Sequence, residues 1–220
     1  MRSEFQTEPV PLLSEPAKAP GRRERRRRET REKIYRAAMR LFSERGFFET
    51  TTEQITEAAD VGQGTFFNYF PSKQHVLSVL SEIQLTKIRA AREQALRGER
   101  SLHDVLHALV HDIAQEPGQS QALTRALFSA IFSNEAVRST AAELLAQGRE
   151  VLAVVIAAGQ ERGEIRPDGK AADLALAFQR AVAGTLFLWA MQSKIGLKTW
   201  LEKAFRDFWA GAATTKGRIR

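Results

Sequence analysis

A chain of 220 residues with 43% hydrophobic content can bury a core, and its apolar residues recur at helical rather than alternating spacing, so an all-α fold is expected. The absence of cysteine excludes a disulfide scaffold, a thiol nucleophile and a Cys-ligated metal centre, and fits a reducing cytoplasm. The net charge of +7 is local: residues 21–45 hold 11 Arg or Lys against four Glu, so that window alone accounts for it, pointing to a polyanion partner.

Residues 1–20 contain Pro9, Pro11, Pro16 and Pro20, lack periodicity and lack the apolar stretch of a secretory signal. They are expected to be disordered. Residues 22–28 form an Arg-dense arm that helix geometry is not expected to hold. A first helix is predicted from Thr30, as N-cap, to Gly46, with Ile34, Ala37, Ala38, Leu41 and Phe42 as its apolar stripe. A second opens within Thr50-Thr51-Thr52, where Thr50 with Glu53 or Thr51 with Gln54 makes a capping box. Its buried face is Ile55, Ala58 and Ala59, and Asp60-Val61-Gly62 breaks it.

A third, short helix covers Gln63 to Phe70. Ser72 caps a fourth that runs to Arg97 and is closed by Gly98. A fifth follows Ser101, with Leu102, Val105, Leu106, Leu109 and Ile113 on one side, and stops at Glu116-Pro117-Gly118. The sixth spans Gln119 to Phe132, and the seventh starts near Asn134 and ends at Arg162-Gly163. The eighth runs from Pro167-Asp168 to Lys194, and the ninth from Lys198 to Ala212, before a basic tail. The most apolar stretch, Ala171 to Met191, contains Asp173, Gln179 and Arg180, and reads as a buried core helix rather than a membrane span.

Two short helices joined by a Gly-containing turn, with a first helix behind them, are the parts of a helix-turn-helix reader. The major groove admits one α-helix, so the reading helix presents its N-terminal residues to the bases. Small residues at its start (Gly62, Gly64, Thr65) allow close approach, while Phe66 and Phe70 anchor its other face. The run Gly46-Phe47, Thr50-Thr51-Thr52, Ile55, Ala59, Val61, Gly64-Thr65-Phe66-Phe67-Asn68-Tyr69-Phe70 and Ser72-Lys73 resembles the N-terminal signature of TetR-type regulators. The preceding Thr30-Arg31-Glu32-Lys33-Ile34, Ala37-Ala38 and Leu41-Phe42 match their first helix, and Gly159, Gly163 to Asp168 and Gly184 resemble the regulatory domain of many members.

The resemblance implies an all-α, three-helix DNA-binding domain followed by a helical ligand-binding and dimerisation bundle, about nine helices in all. The expected divisions are 1–28 (tail and arm), 29–75 (reader) and 76–214 (regulatory domain). It implies a homodimer on a palindromic operator in double-stranded DNA, a repressor released by an unknown small-molecule effector, in the cytoplasm and without a membrane. Carried over residue by residue, Thr51 and Thr52 contact phosphates, Gly64 allows close approach to them, and Gln63, Thr65 and Asn68 lie at or near base edges. Tyr69 and Lys73 hold phosphates, Lys73 with help from the amides at the start of the fourth helix. Gln and Asn suit adenine, so an A·T pair within each half-site is expected. Gly62 stands where the family usually has a capping Ser, and Phe67 where a Tyr hydroxyl usually reaches a phosphate. The arm, with Arg27, Arg28 and then Arg31, is placed to reach the adjacent minor groove.

Ala177, Ala181, Gly184 and Leu188, with Leu201, Phe205 and Phe208 nearby, are the predicted dimer surface. Phe128, Phe132, Phe178, Arg180 and Trp189 are candidates for an effector pocket; Arg180, taken as buried, needs a paired acid or an anionic ligand. His103, His107 and His111 fall at i, i+4 and i+8 on the fifth helix, about 120° from its apolar face, and read as a polar flank; a metal or pH-sensing role is the alternative. No phosphate loop, His-Glu metal motif or nucleophile elbow is present, so neither an enzyme nor a cofactor nor a metal site is expected. The competing reading is a basic helical protein that binds RNA or an anionic membrane through its arm.

Overall fold

A computed structural model describes residues 21–118, 120–192 and 195–215. Among them nine helices follow one another: α1 (Arg22–Arg45), α2 (Thr52–Ala58), α3 (Gln63–Tyr69), α4 (Lys73–Arg97), α5 (Leu102–Gly118), α6 (Gln121–Ser133), α7 (Glu135–Glu161), α8 (Ala171–Gln192) and α9 (Leu197–Ala212). The tail expected over 1–20, the final basic residues 216–220, and the predicted boundaries at Gln119 and Lys194 lie outside the described residues.

The arm is a correction. Residues 22–28 are the first two turns of α1, whose N-cap is Gly21 rather than Thr30. Arginine is a strong helix former, and acids at four-residue spacing pair along the exposed surface: Glu24 with Arg28 at 2.9 Å, Arg25 with Glu29 at 3.2 Å, and Glu32 with Arg36. Thr30 lies mid-helix, its hydroxyl donating to the carbonyl of Arg26. Gly46, at φ +89, ends the helix where a side chain would be strained.

Two apolar cores share the bundle. The first joins Ile34, Ala38 and Phe42 of α1 to Ile55 and Ala59 of α2, Phe66 of α3, and Phe70 and Val76 beyond it. Tyr35 and Phe47, which the predicted stripe omits, are buried in it as well. It does not close at residue 75: Ala126, Leu127 and Ala130 of α6 and Val137 of α7 belong to the same core, and Ser43 of α1 is hydrogen-bonded to Ser120. The DNA-reading unit and the helical bundle are therefore packed on one another through α1 and α6.

The second core gathers α4, α5, α7, α8 and α9 around Leu106, Ile156, Phe178, Val182 and Leu201. Close packing at its end depends on Gly159, where an added methyl would come within 2.1 Å of the buried Leu102 side chain. The turn after α7 is fixed from three sides. Gly163 has φ +68, Ile165 forms an isolated bridge with Ala213, and Glu164 accepts the first N–H of α5, from Leu102, at 2.7 Å. Ala171–Met191 is long and apolar enough to cross a membrane, yet Leu174, Phe178, Val182 and Leu186 point into this core. Leu201 and Phe205, assigned to the dimer surface from sequence, are buried within the chain instead. Ala177, Gly184 and Leu188 are exposed on α8 as that prediction requires.

Candidate nucleic-acid interface and apolar cavity

Thr51 begins α2 with a complete capping box: its hydroxyl accepts the Gln54 N–H, and the Gln54 side chain accepts the Thr51 N–H. That choice frees Thr50, which is fully buried and donates to the Gly46 carbonyl at 2.8 Å. Asp60 takes the left-handed conformation at φ +48 and turns the chain toward α3. Phe66 is fully buried and Phe70 nearly so, their rings 5.9 Å apart. With that side of α3 held, Gln63, Gly64 and Asn68 are exposed, and Thr65 and Tyr69 half-buried. A methyl group at Gly62 or Gly64 would meet no protein atom within 4 Å, so nothing inside the chain demands glycine there. Gly62 caps α3 without a side-chain bond, and Phe67 is half exposed. Gln63 donates weakly to Glu53 at 3.4 Å and is otherwise free to turn outward.

Lys73 departs from its predicted role. Its ammonium donates to three carbonyls, those of Phe47 (2.8 Å), Phe48 (3.1 Å) and Thr50 (2.7 Å), and lies 4.8 Å from the Phe47 ring centre. Burial pushes this lysine below its ordinary range, with Glu49 opposing the shift. All three N–H bonds are spent on the turn between α1 and α2, leaving none for a phosphate. Arg31 is also engaged: one guanidinium nitrogen donates to both oxygens of Glu82 on α4, and the group lies over the Phe70 ring. Arg27 and Arg28 are exposed on the helical arm. An α-helix is about 10–12 Å wide and the minor groove about 6 Å, so a helical arm does not enter that groove.

Behind the reader lies a cavity of about 320 Å³ between α4, α6, α7 and α8. Leu80, Leu85, Phe128, Ile131, Leu144 and Phe178 give it apolar walls; Gln84, Thr140 and Gln179 are among its polar groups, and among the described residues no Asp, Glu, Lys or Arg lines it. Phe128 and Phe178, two of the effector candidates, are among its lining residues. Three other candidates are not. Phe132 is 63% exposed, Trp189 is buried with its indole N–H donating to the Ile195 carbonyl, and Arg180 is exposed on α8. Arg180 therefore needs no buried partner. Gln74 and His75, in the same first turn of α4 as Lys73, also line the cavity.

Residues 34–80 match the family described as bacterial regulatory proteins, tetR family, and residues 96–194 match the tetracyclin repressor-like C-terminal domain. The chain belongs to the TetR family.

Among similar TetR-type proteins, the HTH-type transcriptional regulator TcmR of Streptomyces glaucescens is 40% identical over 84 residues, which is 36% of this chain and 37% of TcmR. The chain thus matches little more than a third of that relative's length. Over most of the fold it is similar to the FadR regulator of Bacillus subtilis, solved with stearoyl-CoA (TM-score 0.68, 20% identity, 82% of this chain and 98% of that one). It is also similar to the FadR repressor of Thermus thermophilus, solved with lauroyl-CoA (TM-score 0.57, 29% identity, 82% and 94%). The TetR signature in the sequence covers the reader but not the cavity. Three of the cavity's polar groups, Gln84, Thr140 and Gln179, stand on three helices, and no spacing in the chain relates them.

Proposed function

We propose that this TetR-family chain is a sequence-specific DNA-binding regulator, a homodimer that occupies a palindromic operator and is released by an elongated apolar ligand. The observation that carries the DNA-binding part is the division of α3: Phe66 and Phe70 are locked inward while Gln63, Gly64 and Asn68 face solvent at the start and middle of the helix. A major-groove reader needs that division. Gln63, Thr65 and Asn68 reach base edges, and Thr51, Thr52 and Tyr69 hold the backbone. The exposed stripe of Ala177, Gly184 and Leu188 on α8 supports pairing with a second copy, which sets two reading helices about 34–36 Å apart.

The ligand class follows from the cavity lining. With no Asp, Glu, Lys or Arg among the described residues of its walls, the cavity suits a ligand uncharged along its buried length, and any charged end stays outside. A fatty acyl chain meets that description, in keeping with the acyl-CoA compounds in the two FadR structures. Release works through α4. Its first turn borders the cavity at Gln74 and His75 and holds the α1–α2 turn at Lys73, so a ligand that shifts this turn shifts the reader. The test is binding of the full chain to an inverted-repeat duplex chosen from a random pool, then titration with lauroyl-CoA. Release at micromolar ligand is expected, and its loss in Ala141→Phe, which fills the cavity while DNA binding persists. Undiminished DNA binding at saturating lauroyl-CoA would remove this ligand class and leave the reader assignment standing.

A further inference from the structure

The histidine stripe of α5 is a partly covered face rather than an open polar flank. Helix α9 packs over it, and one carboxylate meets two of the rings: His107 Nε2 lies 3.0 Å from one oxygen of Glu202, and His111 Nε2 lies 3.0 Å from the other. The two rings stand 4.7 Å apart, steeply inclined to each other. The ligand-capable atoms of His107, His111 and Glu202 all fall within 4.8 Å of one another. We propose that these three side chains form a divalent transition-metal site that clamps α5 to α9.

The chemistry of the set selects the ion. Two imidazoles and one carboxylate suit zinc, nickel or cobalt(II) and not the all-oxygen coordination that calcium and magnesium require. With metal–ligand bonds of about 2.0–2.2 Å, neighbouring donors in a tetrahedral site stand roughly 3.3 Å apart. The two His–carboxylate separations of 3.0 Å, each to a different oxygen of Glu202, are close to that value, and with all three donors within 4.8 Å of one another the side chains close on an ion by rotamer adjustment. Side-chain exposures of 36% for His107, 27% for His111 and 35% for Glu202 leave an approach for the ion and a fourth position for water. The groups are fixed from behind: His107 packs against Phe205, whose ring centre is 5.2 Å away and which belongs to the bundle core. A cavity of about 360 Å³ adjoins the cluster, lined by His103, Phe205, Arg206 and Trp209 as well as by His107 and Glu202. His103 stands outside the ligand set; its Nδ1 lies 3.3 Å from Asp104 and its ring stacks on His107. Arg206 lines that cavity and stands outside the ligand set.

This assignment is independent of the DNA reading. The experiment uses the full chain without a polyhistidine tag, with Co²⁺ as an optical probe and Zn²⁺ in calorimetry. One ion per chain is expected, with ligand-field absorption from Co²⁺ that Zn²⁺ displaces, and Zn²⁺ should raise Tm. His111→Gln and Glu202→Gln should each weaken binding by at least the roughly 10–100-fold that an outer-sphere partner alone is worth. His103→Gln should leave affinity and stoichiometry unchanged. Should Glu202→Gln fail to fold, judged by circular dichroism, His111→Gln provides the same comparison. No uptake of Zn²⁺, Ni²⁺ or Co²⁺ below millimolar concentration would overturn the site. So would undiminished binding in the His107→Gln/His111→Gln double variant.

Discussion

The ammonium of Lys73 lies 2.7 Å from the carbonyl oxygen of Thr50, and two further carbonyls complete its donors. One residue of α4 thus closes the turn that precedes α2, and two functions suggested for this position separate experimentally. Lys73→Met removes the donors and leaves three carbonyls short of a partner, so folding stability should fall by about 1–3 kcal/mol in urea unfolding. A latch contacts no phosphate, so the slope of log K against log salt should not change. A slope lower by about 0.9 per subunit would return Lys73 to the DNA backbone.

The resemblance implies a phosphate contact for Lys73, whereas within the chain its donors close the α1–α2 turn. As the first residue of α4 it stands at the positive end of a helix, where a cation gains nothing from the dipole and is drawn to carbonyls instead. The reader itself was legible: the 3-1-3-1 stripe of α1, the Thr51–Gln54 box and the inward Phe66 and Phe70 are local patterns, and local patterns survive folding. Arg180 and the histidine stripe were misread for another reason. A single helix's periodicity gives angles relative to its own apolar face, whereas exposure depends on which neighbour covers the remaining sides. Helix α9 covers His107 and His111 through Glu202, and nothing among the described residues buries Arg180.

Gly159 tests the packing of the second core. Alanine there would sit 2.1 Å from a methyl group of Leu102, which is fully buried and has Ile165 beside it. The gain in helix propensity, under about 1 kcal/mol, should be outweighed by repacking of about 1–3 kcal/mol. Gly159→Ala should lower Tm by thermal circular dichroism. At Gly184 a methyl group meets no atom within 4 Å of the same chain, so an isolated subunit should tolerate alanine.

The exposed α8 stripe predicts how the chain assembles. Gly184→Arg places a charge on that surface without touching either core, so the subunit should stay folded while the dimer dissociates. Sedimentation velocity at micromolar concentration should show a dimer for the native chain and a monomer for the variant. A native monomer would remove both the dimer and the palindrome.

The basic start of α1 makes a separate electrostatic prediction. Six arginines and one glutamate occupy residues 22–28, on a helix that Lys33 ties to the α2–α3 turn through Asp60 at 3.2 Å. Deleting residues 1–28 should reduce the salt slope by about 3–4 units if two arginines of each arm track phosphates, at ~0.9 per contact. Because a helix is too wide for the minor groove, preference for A·T-rich flanks should survive the deletion. An unchanged slope would make the arm a solvated extension.

If the outward face of α3 reads bases, selection of duplexes from a random pool should separate the full chain from Asn68→Ala. The native chain should recover an inverted repeat with half-sites one helical turn apart, and Asn68→Ala should lose preference at one position per half-site, by roughly 1–3 kcal/mol, with the remaining positions intact. Recovery of no shared sequence by the native chain, or of the same sequence at undiminished preference by Asn68→Ala, would contradict base reading by α3.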